Sequence, residues 1–171
     1  PFYQLPFQFL KVCVNIQGIR GLAKANRSDP LNPYILIGLG ICPMLRFKTK
    51  ELRGTNDPVW NEDIPIELTN PATDVLCLTL RDKTTSGEID AATLSLVLNQ
   101  YQLFMIYDNE YDMLASNNLK SGGKIKLKIQ ILPVNYPNWT QPQMQPYMYP
   151  QQMQPGMNQQ QMQPGVNPQQ M

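Results

Sequence analysis

The residues that carry chemistry in this chain are charged and sit in three short stretches. Asp82, Glu88 and Asp90 fall in the polar run Arg81–Asp90. Arg46, Lys48 and Lys50 alternate along one strand-like segment, and Lys124, Lys126 and Lys128 along another. Residues at every second position of a strand share one face, so each basic triplet concentrates charge. The chain has no histidine, which removes the commonest general base and the commonest transition-metal ligand. No nucleophile elbow and no glycine loop for phosphate is present. Asp82, Glu88 and Asp90 only imitate a catalytic carboxylate pair in a polar loop, so a non-enzymatic protein is expected.

The elements that position these residues are strands. Leu10-Lys11-Val12-Cys13-Val14-Asn15-Ile16 alternates with period two, as a half-buried strand does. Tyr34–Leu39, Arg46–Lys50, Ile64–Leu68, Val75–Leu80 and Thr93–Leu98 read as further strands. Lys124–Ile131 alternates most cleanly, with three lysines on one face and four apolar residues on the other. Ala23–Pro33 and Arg81–Asp90 read as polar loops, and Ser121-Gly122-Gly123 as a turn. Asn99–Asn118 reads as an irregular loop with a short helical turn and a short strand at Tyr111–Leu114. Seven or eight strands without a long amphipathic helix predict an all-β, antiparallel sandwich.

Composition divides the chain of 171 residues. All 27 charged residues precede Asn135 (14 basic, 13 acidic). Residues 1–136 are expected to form one sandwich domain, and 137–171 a disordered Pro/Gln/Met-rich tail. Gln-Met-Gln-Pro recurs from Gln143, Gln152 and Gln161 with a period of nine. Such a segment suits recognition of extended, proline-rich chain by protein partners. The net charge of +1 creates no global field toward nucleic acid. Cys13, Cys42 and Cys77 lie in or beside apolar runs at no metal-binding spacing, which fits a reducing, cytoplasmic setting. The apolar run Ile35–Leu45 is too short to span a bilayer, and the N-terminus lacks the plan of a signal peptide. A start at Pro1 suggests removal of an initiator methionine.

Between the third and fourth strands stands Gly54-Thr55-Asn56-Asp57-Pro58-Val59-Trp60-Asn61-Glu62. A turn of (Asn/Asp)-Pro-Val-Trp-Asn-Glu after a basic strand closely resembles the signature of the C2 domain. From about Leu10 to Leu132 the order of segments is similar too: Asn32-Pro33-Tyr34 stands where the family writes Asp-Pro-Tyr, and Leu76–Asp82 resembles the strand into the third loop. The resemblance implies an eight-stranded sandwich of the circularly permuted, type II order, with three loops at one tip. It implies calcium held by five loop aspartates and bridging to anionic phospholipid. Those five positions fall on Asn26, Asn32, Asp82, Thr84 and Asp90, so two carboxylates of five are kept. Asp29 and Glu88 lie in the same loops as substitutes. Calcium affinity follows charged oxygen ligands, so weak or degenerate calcium dependence is expected. The resemblance also puts Arg46, Lys48 and Lys50 on a face that binds phosphoinositide headgroups in some members, with Lys124, Lys126 and Lys128 as a second basic face. The implied function is peripheral docking on anionic membrane, with the tail recruiting partners. The alternative is a protein-interaction scaffold, independent of calcium and lipid, that acts through the tail.

Overall fold

The computed structural model describes residues 9–25, 29–40 and 46–141. The strands are β1 (Leu10–Lys24), β2 (Pro33–Leu39), β3 (Arg46–Lys48), β4 (Val59–Glu67) and β5 (Val75–Thr84). They continue with β6 (Gly87–Val97), β7 (Tyr107–Asp112), β8 (Leu114–Ala115) and β9 (Leu119–Pro133). A four-stranded sheet, β4-β1-β9-β7, packs on a five-stranded sheet, β3-β2-β5-β6-β8, and neighbouring strands are antiparallel. The closing strand β9 pairs with the opening strand β1 along nearly its whole length. That is the pairing the permuted strand order requires.

Alternation builds the core. Val12, Val14 and Ile16 of β1 and Ile125, Leu127, Ile129 and Ile131 of β9 turn inward. They meet Ile35 and Ile37 of β2 and Leu76, Leu78 and Leu80 of β5, all essentially buried. Burying a side chain of this size stabilises the fold by roughly 1.5–3 kcal/mol, which is why one-residue register slips are excluded here.

Several segments differ from the reading of the sequence. The run Arg81–Asp90 is not a loop: β5 continues to Thr84, β6 starts at Gly87, and only Thr85-Ser86 turns. Its polar residues hide a hairpin, because charges paired across two strands replace the apolar signal. Ser121-Gly122-Gly123 is not a turn either but part of β9. The glycines serve a close approach: a Cβ on Gly122 would lie 2.6 Å from the Met113 carbonyl oxygen, and one on Gly123 2.4 Å from that of Arg20. The third strand stops at Lys48, before Lys50. Nine strands rather than eight appear among the described residues, because the short strand expected at Tyr111–Leu114 splits. β7 pairs with β9 in one sheet, and after the buried Met113 the chain crosses to pair β8 with β6 in the other. A 3-10 turn at Leu98–Gln100 supplies the expected helical element.

Gly123 has φ +70° as well as its close neighbours, whereas Gly40 has φ +60° in open space. Alanine at Gly123 is expected to lower stability by about 1–3 kcal/mol, and by clearly more than alanine at Gly40. Urea midpoints of the two variants check this.

Candidate functional site: the loop tip and its charged faces

The motif Asn56–Glu62 ties the tip together. Trp60 is buried, and its indole N–H donates to the Lys50 carbonyl (2.9 Å), while Glu62 accepts from the Lys50 N–H (2.9 Å). One loop residue is thus bracketed by two side chains from β4. Asn56 accepts from the Leu31 N–H (3.2 Å), and the Thr55 N–H donates to the Leu31 carbonyl (2.9 Å). The motif therefore joins the loop before β2 to the loop before β4, and its conspicuous residues are structural.

Asn32 joins all three loops. Its Oδ1 accepts from the Gly54 N–H (2.9 Å), its Nδ2 donates to the Lys83 carbonyl (3.0 Å), and its backbone N–H donates to Asp82 Oδ1 (2.8 Å). Asp82 is 6 % exposed. Its other oxygen lies 3.2 Å from the Lys24 ammonium, which is itself well covered. A buried carboxylate must be paired, and here the partner is a lysine of β1. Lys24 gives no sequence signal, because it reads as part of a polar loop; in the structure β1 runs through it.

The remaining expected ligands lie elsewhere or are otherwise engaged. Arg81 binds Asp90 (2.6 Å) and Glu88 (3.3 Å) on the outward side of the hairpin. Arg81 and Asp82 are neighbours on a strand and face opposite ways, so Asp90 and Asp82 are not brought together. Thr84 donates to the Gly87 carbonyl (2.7 Å) and serves the hairpin turn. Asp29 is exposed, and Asn26 lies outside the described residues. Among the described residues no three acidic or thiol side chains gather as ligands for one ion. Calcium needs six to eight oxygens. Among the described residues, the oxygens of Asn32, Asp82, Thr84 and Asp90 are already engaged by backbone N–H groups, an ammonium, a hairpin turn and a guanidinium, so these four do not fit the ion.

Part of the basic charge is paired as well. Lys48 and Lys83 (2.9 Å) both bind Glu51, and Lys48 stands over the Tyr34 ring (4.2 Å). Hydrogen bonds from Lys48 and then Lys83 hold the Glu51 carboxyl down to about 2. Burial, then a hydrogen bond with Glu88, raises the Tyr34 hydroxyl. Arg46 stands on β3 opposite Gly38, and Lys50 is exposed beyond the strand. On the other sheet, Lys124, Lys126 and Lys128 lie directly opposite Asp112, Glu110 and Asp108 of β7. Lys124 binds Asp112 (2.8 Å), and Arg20 grips Glu110 through two 2.8 Å contacts, which lower the Glu110 carboxyl and raise the Arg20 guanidinium. Tyr107–Asp112 alternates acids as Lys124–Ile131 alternates bases, a complementarity legible only once the pairing is known.

Two clefts open at the tip. One, of about 360 Å³, lies between Lys24, Asp82, the hairpin Thr84–Ser86 and Asn117-Asn118. The other, of about 320 Å³, is lined by Asn32, Glu51, Arg53 and Lys83. Around the second stand Lys48, Lys50, Arg53 and Lys83, with three carboxylates nearby, Glu51, Glu62 and Glu88, so the cationic surplus is small and lies at Lys50 and Arg53.

Two antiparallel sheets, with two loops and the β5–β6 hairpin tied together at one tip, define a β-sandwich, and the comparisons with known proteins agree on that fold. The C2 domain family model matches residues 10–113. The chain belongs to the C2 domain family. Human cytosolic phospholipase A2 delta is 31 % identical over 80 residues, which is 47 % of this chain and 10 % of that protein. The chain thus spans about a tenth of the length of the curated relatives it matches. A single C2 domain of a plant extended synaptotagmin 1 superposes with a TM-score of 0.65 at 20 % identity, over 76 % of this chain and 99 % of that one. A calcium-bound structure of a pair of C2 domains from extended synaptotagmin 2 gives 0.58 at 21 % identity, over 72 % and 42 %. No helix among the described residues is long and apolar enough to cross a membrane.

Replacing Asp82 by Asn strands the Lys24 ammonium and is expected to cost about 3 kcal/mol. The same change at Asp90, whose side chain is 59 % exposed, should cost under about 1 kcal/mol. Denaturant titrations of both variants check the contrast. Glu51 gives a pH test. Its folded value lies below its unfolded one, so the unfolded chain binds more protons between pH 4.5 and about 2. The stability from Glu51 is complete above that window and lost as pH falls through it. Glu51→Gln should flatten the stability–pH slope there, read from urea midpoints.

Proposed function

We propose that this C2 domain docks on anionic phospholipid surfaces without calcium, at the cytoplasmic face of a membrane, with the tail recruiting partners. The observation that carries the reading is the Lys24–Asp82 contact, 3.2 Å long and shielded from water. A cation already rests on the retained loop carboxylate, so the tip has the charge balance that a bound ion would otherwise supply. Phosphate contact then falls to the small cationic surplus at Lys50 and Arg53 beside the smaller cleft. Such contacts are charge-assisted and salt-sensitive.

The second reading, a scaffold that binds neither calcium nor lipid, is favoured by one observation. The β9 lysines face a matching row of acids on β7, so that side presents little net charge.

Co-sedimentation of the full chain with phosphatidylserine, phosphoinositide and neutral vesicles separates these readings. The proposal expects binding to the anionic vesicles that is unchanged by chelator. Binding should fall several-fold in 0.5 M salt and when Lys50, Arg53 and Lys83 are replaced by Ala together. Binding only with calcium would refute it, and absence of binding in every condition would leave the scaffold reading.

A further inference from the structure

Cys13 of β1 and Gln130 of β9 stand opposite one another in register. Val12, Val14, Ile129 and Ile131 fill the inner face, so alternation puts Cys13 and Gln130 on the outer one. Outward residues of a two-layer sandwich ordinarily meet water. Yet Cys13 is 1 % and Gln130 0 % exposed. What covers Cys13 is the chain after β9, and what covers Gln130 is that chain together with the segment at Phe104. Lys11 donates to the Tyr136 carbonyl (2.6 Å), and the Cys13 thiol to Asn138 Oδ1 (3.1 Å). The Trp139 indole N–H donates to Asp63 Oδ1 (3.2 Å), with the Lys128 ammonium 5.0 Å over its ring. Gln130 Nε2 donates to the Thr140 carbonyl (2.6 Å) and to that of Phe104 (2.8 Å). Residues 137–141 are therefore packed on the sandwich, beyond the boundary expected at 136. The repeat itself, from Gln143 on, lies outside the described residues.

We infer that the outer strip formed by Lys11, Cys13, Asp63, Lys128 and Gln130 is a docking site for the Tyr136–Thr140 turn, filled in cis, releasable, and setting where the tail leaves the domain. The partner is thus a named segment of this chain, and its chemistry matches the strip. An indole donor meets a carboxylate under an ammonium, an amide oxygen meets a thiol, and a backbone carbonyl meets a buried amide. Two features make the closed state marginal. Trp139 is held at φ +62°, which side chains rarely adopt. Gln130 Oε1 is buried without a hydrogen-bond partner. Both are relieved on opening, and one short turn supplies every contact that opposes them. The strip lies on the outer face of the four-stranded sheet, and Lys48 and Arg81 lie on that of the other sheet. The latch therefore leaves the end of the described chain, residue 141, on the side opposite the Lys48 face.

The test uses the full chain with Cys42→Ser and Cys77→Ser, so that Cys13 is the sole thiol, and follows its reaction with Ellman's reagent. The parent should react at least ten-fold more slowly than a free thiol. Trp139→Ala should remove that protection, and Asp63→Asn part of it, while Trp60 emission stays that of a buried indole and reports an intact sandwich. A peptide of residues 134–141, added in trans, should restore protection to the Trp139→Ala chain. A parent thiol that reacts freely, a Trp139→Ala chain that stays protected, or a peptide without effect would each overturn the inference.

Discussion

A carboxylate out of water needs compensating charge or hydrogen bonds, and the tip of this sandwich is arranged around that need at Asp82. One oxygen takes the N–H of Asn32 and the other the ammonium of Lys24. Asn32 then reaches Gly54 and Lys83, so a single buried charge fixes the first loop against both others. The coupling also explains why β1 extends as far as Lys24: its last residue must arrive at Asp82 with its amine covered.

The same economy of charge runs over both outer faces. Arg81 holds Glu88 and Asp90, Glu51 holds Lys48 and Lys83, and the acids of β7 answer the lysines of β9. Exposed pairs of this kind contribute little each to stability. Their larger effect is on where net charge remains. It remains at the loop before β4, near Lys50 and Arg53, rather than along the Lys124–Lys128 face. Under the proposed function, attraction to a membrane would follow what pairing leaves over and not the number of basic residues in a strand.

The fold is legible because its signals are local. The alternation of Leu10–Ile16 and Lys124–Ile131, and the wording of Asn56–Glu62, specify strands and a turn whatever the rest of the chain does. Arg81–Asp90 misleads because its stabilising contacts are charge pairs across a hairpin, which have no one-dimensional pattern. Ser121-Gly122-Gly123 misleads because glycine marks both a turn and a close backbone approach, and only the crossing chain at Met113 decides which. At the site, Asp82 and Asn32 stand out by the type of chemistry they carry, but the partner that changes that chemistry, Lys24, is far from Asp82 in the chain. Burial of Cys13 is expected for an apolar run, whereas its cover comes from Asn138 and Trp139, residues that composition assigns to a tail. Contacts of this range are a property of the folded chain, and no spacing rule reports them.

The central claim is that the Lys24 ammonium fills the cation's place on Asp82. It is tested most directly by the lysine side-chain ¹⁵Nζ spectrum of the full chain, recorded during a calcium titration to millimolar concentration. The account predicts that the Lys24 ammonium gives a sharp, slowly exchanging signal, absent in Asp82→Asn and unmoved by calcium. A Lys24 signal that is broadened by exchange like those of exposed lysines, or that shifts as calcium is added, would contradict it.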